Sequence, residues 1–265
     1  MKTLFNEKTD FGNWIPMPFM LMLYGTSAVL LLATILLFVM TESLLWPSVA
    51  CLFFLLALAF TVHMQLCRYA FSFKGGGVMG RIHEYLVSKL PWNGEGQLLD
   101  IGCGAGALSI RCALRFPQAR ITGIDYWGAG WNYAQAQCER NATIEGVINR
   151  MKFQKGDAAA LDFDDETFDA AVSNFVFHEV RTQPEKQKVV REALRVVRKG
   201  GSFAFIDLFS RSSLYGDMQA FVNELKAEGI SEITYIAHLE LTDLFPKIFR
   251  APWLMPGTGI LYGRK

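Results

Sequence analysis

The segment Gln97-Leu-Leu-Asp-Ile-Gly-Cys-Gly-Ala-Gly106 constrains this chain more than any other stretch. Leu98, Leu99 and Ile101 predict a short buried strand with Asp100 near its end. Gly102, Gly104 and Gly106 then make a tight turn, and Ala107-Leu108-Ser109-Ile110 opens a helix. Without Cβ atoms, such a turn lets the backbone approach a bound small molecule closely. The helix behind it presents free N–H groups and the positive end of its dipole. A strand, a glycine turn and a helix in this order build a ligand cradle.

The rest of the chain after residue 77 alternates in the same way. A lead-in helix is predicted over Val78–Leu90, a strand over Gln97–Gly102 and its helix over Ala107–Arg115. Further strands are predicted at Arg120–Asp125, Met151–Gly156, Thr167–Ser173 and Ser202–Leu208, with last strands at Ile233–Leu239 and Gly257–Tyr262. Helices are predicted from Trp131 to Glu145, from Pro184 to Arg198 with a stop at Gly200-Gly201, and from Leu214 to Gly229. Strands separated by helices imply an α/β fold with a doubly wound parallel sheet. Ligands of such sheets bind beyond the carboxyl ends of the strands. Gly102–Gly106, Asp125, Asp157 and Asn174 all fall there.

The chain is 51% hydrophobic and only 19% charged, and the apolar excess is concentrated in its first seventy or so residues. Phe19 to Met40 carries no charged residue, and in Ser48 to Leu66 the ionisable groups are Cys51 and His63. As helices these runs would be roughly 33 and 28 Å long, close to the ~30 Å hydrocarbon core. The short link Thr41–Pro47 suffices only for a reversal, so a two-helix transmembrane hairpin is expected, with Trp14 and Trp46 at interfacial positions. Lys2 and Lys8 precede the hairpin, and Arg68, Lys74 and Arg81 follow it, while the link has no basic residue. Both ends and the following domain are therefore expected on the cytoplasmic side of a membrane, a bacterial inner membrane being the natural one. The predicted division is an anchor over residues 1–73 and an α/β domain over 74–265, with Lys74-Gly75-Gly76-Gly77 as a joint.

A net charge of +1, with no basic stripe interleaved with aromatics, argues against nucleic acid as a partner. The five cysteines form no CxxC pair and have no histidine at metal-ligand spacing, so no metal site is expected. The Asn141-Ala-Thr143 glycosylation sequon has no meaning on a cytoplasmic domain.

Gly102-x-Gly104-x-x-Ala107 with Asp125 downstream also fits a dinucleotide site. Three features weigh the other way: Asp100 just before the first glycine, a second acid in Gly156-Asp157-Ala158, and a strand ending in Asn174. Leu99-Asp-Ile-Gly-Cys-Gly-Ala-Gly106, Gly123-Ile-Asp125, Gly156-Asp-Ala158, Phe168-Asp-Ala-Ala-Val-Ser-Asn174 and Arg198-Lys-Gly-Gly201 come in one order. Together they resemble the class I S-adenosylmethionine-dependent methyltransferases, in a membrane-anchored bacterial-type form. The resemblance implies a Rossmann-like methyltransferase sheet and S-adenosylmethionine as cofactor. It implies that Asp100 and the backbone of Gly102, Cys103, Gly104 and Gly106 hold the methionine portion; the Cys103 side chain itself reads as a small filler within the loop, not a nucleophile. Asp125 would accept from the ribose hydroxyls, Asp157 from the adenine amine, and the Ala158 N–H would donate to the ring. The Asn174 region would face the ammonium group, and Tyr126 and Trp127 would flank the adenine or the sulfonium.

An electrophilic sulfonium methyl requires a nucleophile in line and, for a hydroxyl, protonated amine or acidic carbon, a general base. His178, after the fourth strand, is the base candidate because an unperturbed imidazole titrates near neutrality, and Glu179 is its candidate orienter. Trp131 either shapes the acceptor pocket or packs helix on sheet. A membrane tether raises the effective concentration of lipid-borne acceptors, so a small lipophilic or lipid acceptor is expected. The stretch Phe245–Pro256 either covers the acceptor mouth or packs beside the last strands. A non-catalytic adenosylmethionine-binding protein and a dinucleotide-dependent membrane oxidoreductase remain the alternative readings.

Overall fold

The structure is a computed structural model that describes the chain apart from residues 1–4, 7, 74, 76, 129–134 and 252–253. The chain divides into two compact units, Gly12–Gly77 and a second made of Met1–Phe11 with Val78–Lys265. Beside the expected anchor over residues 1–73, this division places Met1–Phe11 with the α/β unit and the join at Gly77/Val78.

The unit Gly12–Gly77 is a pair of helices, α1 (Met17–Met40) and α2 (Leu45–Phe71). Both are long and apolar enough to cross a membrane, with a mean hydropathy of 2.2 each and only 11% of the apolar window buried. A core helix of a globular domain would bury most of that surface; here Leu21, Leu32, Phe38, Leu52, Phe53 and Leu56 are all exposed. The helices meet through small polar contacts, Ser27 Oγ to Thr61 Oγ1 at 3.0 Å and Tyr24 Oη donating to Gln65 Oε1 at 2.6 Å. At the open end of the pair, Asn13 Nδ2 donates to the Arg68 carbonyl at 2.8 Å and the Arg68 guanidinium donates to the Ile15 carbonyl.

In the second unit the elements are α3 (Val78–Lys89), β1 (Gly96–Ile101), α4 (Ala107–Arg115), β2 (Ala119–Asp125), α5 (Gln135–Ile144), β3 (Met151–Lys155) and β4 (Phe168–Asn174). They continue with α6 (Lys186–Arg195), β5 (Val197–Asp207), α7 (Ser212–Tyr215), α8 (Met218–Ala227), β6 (Glu232–Ile236) and β7 (Gly259–Arg264). The sheet order is β3-β2-β1-β4-β5-β7-β6. Strands β1 to β5 are parallel, connected through α4, α5 and α6 and, between β3 and β4, through a non-helical loop, but β7 is antiparallel to both β5 and β6. The wholly parallel sheet expected from the pattern is therefore corrected to a mixed one. Among the described residues, the link from β6 to β7 contains two short 3-10 turns and no crossover helix, and β7 returns antiparallel into the gap beside β5.

Two helix boundaries are corrected as well. The helix expected to run to Arg198 ends at Arg195, and Val197 already pairs with Phe168. Gly200-Gly201 is not its stop but an irregularity inside β5: Gly200 has φ +74° and the β4–β5 register shifts between Phe168 and Ala170. The helix expected over Leu214–Gly229 is broken at Gly216 (φ +63°), after which Asp217 caps α8 through the N–H groups of Gln219 and Ala220.

The first residues tie into the α/β unit through Asn141 on α5, which is fully buried. Its amide oxygen accepts from the Asp10 N–H at 3.0 Å, and its nitrogen donates to the carbonyls of Asp10 (2.7 Å) and Ala105 (3.0 Å). The sequon asparagine is thus a structural bracket between the N-terminal strap and the glycine turn. Replacing Asn141 by Ala removes these three hydrogen bonds, at a cost of about 1–3 kcal/mol, while the Asp10 carbonyl keeps its bond from Gln137 Nε2 at 2.7 Å. Hydrogen exchange should show the Asp10 amide losing its protection in Asn141→Ala; unchanged protection would contradict the bracket.

Candidate functional site

The ends of β1, β2 and β4 lie side by side, because Ile101 pairs with Ile124 on one flank and with Ser173 on the other. Gly102, Asp125 and Asn174 therefore emerge together at one edge of the sheet, and Asp125 also pairs with Lys155, two residues before Asp157. Gly102, Gly104 and Gly106 all have positive φ, at 76°, 57° and 85°. At Gly102 a Cβ would lie 2.1 Å from Val176 Cγ2, so a side chain is excluded by space as well as by conformation. The N–H groups of Gly102 and Cys103 both donate to the Ile124 carbonyl, at 2.8 and 2.9 Å, which locks the turn onto β2. Cys103 is buried beneath the turn, 7% exposed, as a filler would be.

Asp125 has a structural task that the sequence did not announce. Its Oδ2 accepts from the Gly104 N–H and its Oδ1 from the Trp127 N–H, each at 2.8 Å. The Trp127 indole N–H and the Cys138 thiol return two bonds to the Gly104 carbonyl, at 3.0 and 3.1 Å. Trp127 adopts φ +42°, which costs a non-glycine residue about 1–2 kcal/mol, and Phe175 after β4 does so at +58°. Non-glycine strain thus sits at the ends of β2 and β4, the two strands that flank β1, as strained backbone often does at functional edges. Asp157 accepts at Oδ1 from the Ala159 N–H (2.9 Å) and from Thr182 Oγ1 (3.1 Å). A carboxylate offers about four lone-pair sites, so Asp125 and Asp157 keep acceptor capacity for a ligand. Ala158 packs into the core beside Ile101 and Ile124. Tyr126 is 59% exposed, and its ring already lies under Lys155 Nζ at 5.1 Å.

Asp100 is buried, 1% exposed, and accepts from Ser109 Oγ on α4. Burial pushes its carboxyl up to about 7; the Ser109 hydrogen bond opposes that shift and the charge of Asp125 adds to it. Asn174 presents its amide nitrogen 3.3 Å from His83 Nε2, and its Oδ1 is buried with no hydrogen-bond partner among the described residues. Trp131 lies outside the described residues.

His178 sits in a 3-10 turn, Phe177–Glu179, just beyond β4. Its Nδ1 is 2.8 Å from Oδ1 of Asp207, the fully buried last residue of β5, while its Nε2 is 3.4 Å from Glu179 Oε1. Asp207, rather than Glu179, is thus the close orienter. Sequence reasoning missed it although Ile206-Asp207 is a strand-end acid like the others. Burial alone would lower the imidazole, but the charge and hydrogen bond of Asp207, with help from Glu179, raise it to about 9. The ring is therefore not poised near neutrality, as a free imidazole would be. Bonding to His178 in turn holds Glu179 below the ordinary carboxylate range.

The folded-state value of about 9 exceeds the 6.5 of an unfolded histidine. The pair's stabilisation is then complete below pH 6.5 and is lost as pH rises through 9. In Asp207→Asn, the His178 pKa read by NMR should drop by more than one unit, and the decline of unfolding free energy across this window should flatten. An unmoved His178 titration would contradict the assignment.

The comparisons with known proteins bear on the same region. Residues 99–205 match the family described as "Methyltransferase domain". Methyltransferase GfsG of Streptomyces halstedii is 29% identical over 171 residues, 63% of this chain and 56% of that protein. The 27-O-demethylrifamycin SV methyltransferase of Amycolatopsis mediterranei is 30% identical over 176 residues, 63% of this chain and 60% of that protein. The phosphatidylethanolamine N-methyltransferase of Cereibacter sphaeroides is 34% identical over 116 residues, 44% of this chain and 52% of that protein. This chain therefore spans little more than half the length of these relatives. Among solved structures, the [4+2]-cyclase SpnF superposes with a TM-score of 0.52 at 22% identity, covering 70% of this chain and 80% of that one. Geranyl diphosphate methyltransferase in complex with GPP and sinefungin gives 0.51 at 15% identity, covering 70% and 78%. These likenesses show the fold, and the cyclase among them shows that the fold alone does not set the reaction. The family match over 99–205, the strand order and the glycine turn held by Asp125 together make this region similar to a methyltransferase domain, with the Rossmann-like α/β fold of its structural neighbours.

Proposed function

We propose that the protein is a membrane-anchored methyltransferase that moves a methyl group from S-adenosylmethionine to a small lipophilic or membrane-associated acceptor. The observation that carries the proposal is one chain holding both a region that matches a methyltransferase domain and two long apolar helices with only 11% of their apolar windows buried. The phosphatidylethanolamine N-methyltransferase relative supports a lipid-borne acceptor. The basic residues flanking the helix pair, with none in its link, favour the cytoplasmic face for the domain.

The residues at the sheet edge fit the cofactor. Adenosylmethionine presents an ammonium, a sulfonium, hydroxyls and an amine, and the edge supplies acceptors: Asp125, Asp157 and the unpartnered Asn174 Oδ1. Asp125 and Tyr126 would hold the ribose side, Asp157 and Ala158 the adenine, and Asp100, Asn174 and the turn Gly102–Cys103–Gly104–Gly106 the methionine side. When bound, the cofactor supplies an electrophilic methyl that needs only a nucleophile in line with the C–S bond and little water. His178 takes the acceptor's proton at Nε2, and buried Asp207 holds the ring through Nδ1 and stabilises the charge that forms. Because Asp207 raises the ring to about 9, the unprotonated base grows as pH rises toward that value.

The test is a thermal shift with adenosylhomocysteine and with NADH, followed by turnover of labelled adenosylmethionine with vesicles of a total bacterial lipid extract. Stabilisation by adenosylhomocysteine alone, and label in a lipid one methylene heavier, are the expected results. kcat should climb between pH 7 and 9, and His178→Ala should lose roughly 10²-fold or more and flatten the profile. Stabilisation by NADH alone would favour the oxidoreductase reading. Binding without turnover on any acceptor would favour a non-catalytic binder.

A further inference from the structure

The reading of an amino-acid-bearing sulfonium at the sheet edge leaves one buried histidine without a role. His83 lies on α3, near the start of the α/β unit, and is 4% exposed. It meets Asn174 across 91 positions of sequence, with its Nε2 3.3 Å from the asparagine's Nδ2. Asn174 is the last residue of β4, level with the Gly102 turn, since its predecessor Ser173 pairs with Ile101. The other end of the same carboxamide, Oδ1, is buried without a hydrogen-bond partner among the described residues. A buried carbonyl left unpaired costs about 1–3 kcal/mol, so it stands where a donor belongs.

An asparagine carboxamide can turn either face outward, and its neighbour decides which. An imidazole whose Nε2 carries no proton accepts from the amide nitrogen and leaves the buried carbonyl as the end that still needs a donor. We infer that His83 is a positioning residue of the cofactor site: its Nε2 holds the Asn174 nitrogen, so that the Asn174 carbonyl oxygen faces the primary ammonium of the methionine portion. The inference rests on the adenosylmethionine reading above and adds a residue that lies outside all of the matched motifs. A protonated ring would turn the amide over and set a second cation near the ammonium. The surroundings prevent this, since burial and the Arg111 charge push His83 down to about 3, leaving the ring a neutral acceptor.

The test compares two ligands by calorimetry on the full chain in detergent: adenosylhomocysteine, and 5′-methylthioadenosine, which lacks the amino-acid portion. His83→Leu should weaken adenosylhomocysteine about tenfold and leave methylthioadenosine within about twofold. His83→Gln, whose side-chain oxygen can accept where Nε2 does, should restore most of the loss. Asn174→Leu should reproduce the ligand-selective loss without touching α3. Unchanged adenosylhomocysteine affinity in His83→Leu, an equal loss for both ligands, or no rescue by glutamine would overturn the inference. A wild-type chain that binds neither nucleoside would overturn the cofactor reading and this inference with it.

Discussion

The peptide group of Gly104 is the point on which the site depends. Its N–H is held by Asp125 Oδ2, and its carbonyl by the Trp127 indole and the Cys138 thiol. These partners come from β2, the residues after it and α5, so three pieces of chain fix one glycine. A glycine turn free of such bonds would be the most mobile part of the fold, because glycine has the most backbone freedom to lose. Clamped this way, it becomes a preformed surface. The clamp also explains why Trp127 tolerates a left-handed backbone, since its main-chain N–H and its side chain both bond into the turn.

The strand-end acids show how burial and partners divide labour among like groups. Asp100, buried and bonded to a serine hydroxyl, is pushed toward the protonated state. Asp207, buried against an imidazole, instead raises its partner. Asp125 and Asp157, less buried, each accept a backbone N–H and keep lone pairs free. One residue type at neighbouring strand ends thus makes a raised carboxyl, the partner of an imidazole and two carboxylates with acceptor capacity to spare, set by environment alone.

Much of this was legible in the sequence. Helix α4 spans Ala107–Arg115 as expected, because a glycine turn starts it and its apolar face is periodic. Each parallel strand falls within a residue or two of its expected span at the ligand-bearing end, since apolar runs bounded by glycines and acids leave little choice. The errors came where a local signal served a long-range purpose. Gly200-Gly201 read as a helix stop but makes an irregularity within β5, which pairing with β4 demands. Gly216 broke a helix that periodicity alone would have continued. The insertion of β7 between β5 and β6 is a matter of topology that no local pattern encodes. Asp207 and His83 were missed for the same reason, as their partners lie 29 and 91 positions away.

The central claim is that the clamped glycine turn and the acids beside it receive an adenosyl ligand. A structure of the chain with adenosylhomocysteine bound tests it most directly. The account predicts that the Asp125 carboxylate reaches the ribose hydroxyls while still accepting from the Gly104 N–H. A ribose bound away from Asp125, or an Asp125 that lets go of the turn to reach it, would contradict the account.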